Sequence, residues 1–195
     1  MNAFLDQIVE PFRYSFMVRA LIVSVLVGIM CPILGSYVVT RRLAFMGDAL
    51  AHAILPGLVV AFLAGISPFV GAIPTAVAVA FLIGYLRRRT GLSEDTTIGI
   101  LFAGLFALGL ALLTTAEGLP VDLEALLVGQ VLGVSRLDVL VTLGLAGLVL
   151  MILYGFHKEL VFTSFDPIGA TVSGLRTNLM EYLLLILLAI VVVIA

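Results

Sequence analysis

Between Ala49 and Leu86 the chain carries no Asp, Glu, Lys or Arg, and that run decides which solvent the fold can live in. A helix crosses the hydrocarbon layer with about 20 apolar residues, so this run is too long for a single crossing. Gly65-Ile66-Ser67-Pro68 divides it into two, because Gly and Pro end helices cheaply. Similar charge-poor stretches recur along the chain, and crossings are read at 18–40, 46–64, 68–86, 96–116, 138–157 and 179–195. Inside a bilayer every backbone N–H and C=O must find a partner within the protein, and runs of this length satisfy that as helices. The expectation is an all-α, polytopic membrane protein of about six transmembrane helices, forming one domain over residues 1–195. Composition agrees. At 63% hydrophobic and 11% charged, the chain has too little polar surface to clothe a water-facing exterior.

Charge sets orientation. With strict alternation, the connections after spans one, three and five share a side. They hold Arg41, Arg42, Arg87, Arg88, Arg89, Lys158 and Arg176, seven of the ten basic residues. The positive-inside rule makes that side cytoplasmic and the N-terminus extracytoplasmic, in a plasma or inner membrane. The opposite side gathers Asp6, Glu10, Glu117, Asp122, Glu124 and Asp138. Glu117, Asp122 and Glu124 read as a solvated acidic loop, with attraction of cations as the functional alternative. Asp6 and Glu10 precede Arg13 with no cleavage site after the first apolar run, so the N-terminus does not read as a signal peptide. A net charge of −2 gives no reason to expect nucleic acid as a partner. Cys31 is the single cysteine; it lies in an apolar run and reads as a packed thiol rather than a reactive one. Gly99, Gly104, Gly109 and the Gly129-x-x-x-Gly133 pair read as close helix-packing points, and Pro32, Pro56 and Pro74 as tolerated kinks. The uncharged Ala125–Ser135 stretch is too short to cross and reads as a surface or re-entrant helix.

Asp48 and His52 are the sharpest chemical feature. Four residues is about one helical turn, so both side chains share a face at the start of span two. An Asp at bilayer depth costs about 2.5–3.5 kcal/mol on insertion scales, so it should face the protein interior or a water-filled path. An imidazole and a carboxylate one turn apart can reach one divalent ion. Mn²⁺, Zn²⁺ and Fe²⁺ accept that donor mixture, whereas Mg²⁺ and Ca²⁺ prefer oxygen alone. The plainer reading is a helix N-terminal Asp hydrogen-bonded to a neutral His. Two ligands do not close a site, and a two-fold dimer would supply a second pair.

The connection from Lys158 to Arg176 is the second feature. It is long enough for a short helix, with Asp166 as its cap, Pro167 at its first position and Gly174 at its end. An interfacial amphipathic helix and a docking surface are both open readings. His157 reads as an interfacial anchor, and Glu181 as a residue at the membrane surface.

Three ordered stretches carry a family resemblance. Arg41-Arg42-x-x-x-x-Gly47-Asp48-x-x-x-His52-x-x-x-Pro56-Gly57 resembles the signature of zinc/manganese ABC importer permeases. Asp166-Pro167-x-x-Ala170-x-x-x-Gly174 is similar to the coupling helix of that family. The stretch from Asp122 to Ser135 resembles its Leu-Phe-Gly-x-x-Leu-x-Val-Ser segment, with Leu127-Val128 where Leu-Phe is usual. The resemblance implies an ABC type II importer-like fold, with Asp48 and His52 lining the ion path. It implies that Asp166, Pro167, Ala170 and Gly174 frame a helix seated on a separate ABC ATPase. It further implies a second permease copy, an extracytoplasmic metal-binding protein, no permanently bound cofactor, and Mn²⁺, Zn²⁺ or Fe²⁺ as transported substrate. Relatives continue through further spans where this sequence stops at Ala195, so a truncated piece is expected.

No P-loop sequence is present, so the chain reads as a transporter subunit and not as an enzyme or the motor. The alternative is a gradient-driven secondary transporter or channel for divalent cations. It would use the same intramembrane pair without an ATPase, although no inverted repeat is legible to support it. An intramembrane metalloenzyme would need a third ligand or an HExxH arrangement, and the spans offer neither.

Overall fold

A computed structural model of the chain describes residues 13–41, 43, 45–115 and 133–195, and of Glu94 the backbone only. Nine helices and no strand occur among these residues. They are α1 (Ser15–Thr40), α2 (Met46–Ala53), α3 (Leu55–Leu63), α4 (Pro68–Thr90), α5 (Glu94–Thr114), α6 (Arg136–Gly155), α7 (His157–Phe165), α8 (Pro167–Val172) and α9 (Thr177–Ile194). Six segments are long and apolar enough to cross a membrane: α1, the α2–α3 pair, α4, α5 from Asp95, α6 and α9. The fold is therefore all-helical and polytopic.

The local chemistry of the ends explains where the helices begin and stop. Ser93 accepts a hydrogen bond from the Thr96 N–H and opens α5. Ser135 and Asp138 exchange side-chain and backbone bonds in a capping box that opens α6. Asp138, grouped with the outer acids on sequence grounds, thus has a structural duty. The two proline kinks at Pro32 and Pro74 sit within continuous helices. Pro56 does more. It has no N–H to offer the His52 carbonyl four residues back, and span two breaks at Ile54 into α2 and α3. The span read as one crossing is a broken helix.

Burial separates centre from periphery. The α2–α3 pair is 56% buried and α9 is 50% buried, against 17% for α1 and α5. α9 lies along α4, while α5 lies against both halves of the broken span. Met30, Leu34, Met46, Leu50, Leu184 and Leu187 lie in the buried core between them. In lipid, helices gain little from hiding apolar surface from one another, so close van der Waals contact holds them. The glycines that provide it are Gly57, Gly71, Gly84 and Gly109. A Cβ on Gly57 would strike the Gly71 carbonyl and Thr75, one on Gly84 would strike the Tyr182 ring, and one on Gly109 would strike Leu55. Gly99 and Gly104, read as packing points, meet nothing within 4 Å in this chain. Their helix α5 turns that edge outward, a choice that small residues on a face cannot announce. Cys31 is also exposed on α1 rather than packed.

The Ala125–Ser135 stretch lies outside the described residues except for its last three. Glu117, Asp122, Glu124, Gly129, Asp6, Glu10 and Arg42 lie outside them too.

Candidate functional site

α2 holds Asp48 in its first turn and His52 in its last, on one face. The His52 Nδ1–H donates to the Asp48 backbone carbonyl at 2.9 Å. That bond occupies Nδ1 and leaves Nε2 as the lone-pair nitrogen, the ring atom free to ligate. An Asp48 carboxylate oxygen stands 3.9 Å from Nδ1. The pair is open: the Asp48 side chain is 66% exposed and that of His52 33%. Of the two expected surroundings for this carboxylate, the protein interior or a water-filled path, a single chain does not supply the first: Asp48 faces outward. Among the described residues no group of three His, Cys, Asp or Glu could hold a metal ion. The pair offers two donors from one chain and an open side.

Sequence reasoning missed the walls of this site. Phe102 and Phe106, one turn apart on α5, both meet the His52 ring edge-on, with centroids at 5.5 and 5.6 Å. They stack on each other, and Phe45 meets Phe102 at 6.4 Å. The i, i+4 spacing of two Phe residues was a readable signal, yet nothing in it names His52 as the neighbour.

The connection after α6 is two helices where sequence reading placed one. α7 runs from His157, and α8 follows Asp166, whose Oδ1 accepts the Gly169 N–H at 2.8 Å. Pro167 is the first residue of α8, and Gly174 ends the turn with φ +85°, a conformation that a Cβ disfavours. A side chain at Gly169 would collide with the capping carboxylate, so Gly169 belongs to the cap as well. Ala170 is fully buried and faces inward. Three apolar side chains stand outward around the α7–α8 junction: Phe165 at the end of α7, and Ile168 and Val172 on α8, are 75%, 77% and 84% exposed. Asp166, Pro167, Ala170 and Gly174 are thus the frame, and these three residues are the face.

The polar ends collect behind that frame. Arg41, Arg87, Thr163, Pro167, Thr177 and Glu181 line a cavity of about 230 Å³. The connections after spans one, three and five therefore meet at one end of the bundle. Glu181, read as a surface residue, is an ion-pair hub. Arg87 pairs with Oε1 at 2.5 Å, Arg88 reaches Oε2 at 3.4 Å, and Arg88 also lies over the Tyr182 ring. Arg41 donates to Thr163 and Ser164 at 2.6 and 2.9 Å. Burial lowers its pKa from the usual arginine range, Glu181 opposes that shift, and Arg87 adds to it. His157 does more than anchor an interface: its Nδ1 shares a 2.5 Å hydrogen bond with the Tyr37 hydroxyl.

With this geometry in place, the comparisons are specific. The ABC 3 transport family model matches residues 13–195. The chain belongs to the ABC 3 transport family. Among its curated relatives is the manganese transport system membrane protein MntC of Halalkalibacterium halodurans, 44% identical over 195 residues. That match takes in 100% of this chain and 66% of the relative. The chelated iron transport system membrane protein YfeD of Yersinia pestis is 39% identical over 193 residues, 99% of this chain and 65% of YfeD. A chain of PsaBC from Streptococcus pneumoniae, solved in complex with Fab, superposes with a TM-score of 0.82 at 34% identity. It accounts for 100% of this chain and 69% of that one. This ABC 3 family chain thus spans just under two thirds of the length of these two curated relatives.

Proposed function

We propose that this chain is the metal-path portion of a permease that imports divalent transition-metal ions at the expense of ATP hydrolysed by a separate ATPase. The observation that carries the reading is the Asp48–His52 pair: a carboxylate and an available Nε2 on one open face, in a chain whose relatives are named for manganese and iron transport. Mn²⁺ and Fe²⁺ are the first substrates to test, and Zn²⁺ suits the same donors. A transit site must release its ion, so two donors per chain are no defect. A second copy related by a two-fold axis would bring two Asp and two His to one ion, matching the open side of the pair. Asp48 and His52 would bind the substrate, and the Phe102–Phe106 wall would keep His52 turned toward it.

The apolar face of Phe165, Ile168 and Val172 suits a protein groove better than water. It supports docking of the ATPase there, and with that docking this end would lie in the cytoplasm and the N-terminus on the far side. An extracytoplasmic metal-binding protein would deliver the ion. A gradient-driven carrier would have no use for this docking face.

The test is Mn²⁺ uptake by the complete permease, reconstituted with its ATPase in vesicles. Asp48→Ala and His52→Ala should each cut ATP-dependent uptake at least about tenfold, the weight of one lost charged or metal-ligating contact. Unchanged uptake in both would remove the pair from the ion path. Uptake that needs no ATP would favour the gradient-driven carrier.

A further inference from the structure

Arg41 stands at the junction of the two sites. It follows the last residue of α1, and five residues later α2 begins, carrying Asp48 and His52. The described residues of that connection are pinned at both sides. The Leu43 N–H bonds to the Val38 carbonyl at 2.9 Å, the Met46 N–H bonds to the Leu43 carbonyl at 3.0 Å, and the side chains of Leu43 and Met46 are buried. Leu43 thus ties the last turn of α1, beside Arg41, to the first residue of α2.

On its other side the guanidinium grips α7. Nη2 donates to Thr163 Oγ1 at 2.6 Å and Nε to Ser164 Oγ at 2.9 Å. Both hydroxyl protons are already committed: Thr163 donates to the Glu159 carbonyl at 2.8 Å and Ser164 to the Leu160 carbonyl at 2.6 Å. Their lone pairs are thereby aimed at the fork. Adjacent acceptors suit a planar guanidinium with fixed donor directions, and a single ammonium cannot match both. Among the described residues no carboxylate lies within ion-pair distance of Arg41. One turn earlier, Tyr37 holds His157 at the other end of α7. Both ends of α7 are thus tied to the last turns of α1, and α7 runs through Asp166 straight into the docking helix α8. Glu181, paired with Arg87 and Arg88, lines the same cavity as Arg41.

We propose that Arg41 is the positioning residue that carries movement of the docking helix to the Asp48–His52 helix, and so ties ATP hydrolysis to ion movement. The inference rests on the importer reading above. It assigns a task to the first Arg of the Arg41–Gly57 stretch that charge bias alone would leave as a topology anchor.

The test uses the complete permease with its ATPase in vesicles, with Mn²⁺ uptake and ATP hydrolysis measured on the same preparation. Wild-type protein without ATP-dependent uptake would defeat the importer reading itself, whatever Arg41 does. Given wild-type uptake, Arg41→Lys should lower the ions moved per ATP about tenfold, as expected for the loss of one charge-assisted hydrogen bond, while ATP hydrolysis persists. Nucleotide-free Mn²⁺ binding should be unchanged. Thr163→Val with Ser164→Ala, which leaves the charge and nearly all the volume in place, should reproduce the defect. Adding Arg41→Lys to that pair should then do no further harm. Should the assembled variants move wild-type numbers of ions per ATP, or should uptake and hydrolysis fall in equal proportion, Arg41 is a structural residue and the proposal is wrong.

Discussion

His52 owes its readiness to one hydrogen bond and two rings. With Nδ1 held by the Asp48 carbonyl and the ring edged by Phe102 and Phe106, the imidazole has little rotational freedom left. His52→Gln, which keeps a polar side chain but loses the imidazole nitrogen, should therefore raise the KM for Mn²⁺ in transport assays. An unchanged KM in that variant would count against ligation by His52. The spacing of Asp48 and His52 was plain in the sequence, and so was the chemistry it permits. The choice of ring nitrogen and the aromatic wall were not, because both depend on how α5 lies against α2.

At the scale of the element, the broken span and α8 make the clearest predictions. Gly57 and Gly71 let α3 and α4 approach until backbone meets backbone, so Gly57→Ala should cost about 1–3 kcal/mol through overpacking. Gly99→Ala and Gly104→Ala, in open space, should leave the stability of the isolated permease near wild type. Thermal unfolding in detergent compares all three, and equal losses would contradict this packing. In α8, Asp166→Ala removes the cap, at a cost of about 1 kcal/mol. Ile168→Asp and Val172→Asp leave the cap intact and should abolish copurification of the ATPase while the permease still folds. Retained copurification would mean that the partner sits elsewhere. The Asp-Pro and Gly signals marked the ends of α8 because they act through the local backbone. The separate helix α7 escaped notice because its hold is distant: Tyr37, Arg41 and the last turn of α1.

For the molecule as a whole, the proposed two-fold dimer can be tested at Asp48, whose side chain faces outward within a single chain. In a Cys31→Ser background, Asp48→Cys should form a disulfide between copies in the membrane under mild oxidation, seen on a non-reducing gel. Persistent monomer, with a control cysteine pair that does crosslink, would place the pair away from a two-fold axis.

Membrane residence and helical class were settled by the sequence itself, since charge-free runs of this length leave backbone groups only one another as partners. The capped helix after Asp166 and the one-turn spacing of Asp48 and His52 were legible for a similar reason: they depend on residues within a turn or two. Tertiary structure alone decided which glycines pack, where Cys31 and Asp48 face, and that Glu181 gathers Arg87 and Arg88. It also decided that Arg41 reaches α7 across more than a hundred residues of chain. Those outcomes depend on which helices become neighbours, and apolar surface in a bilayer is too uniform to specify that from one face at a time.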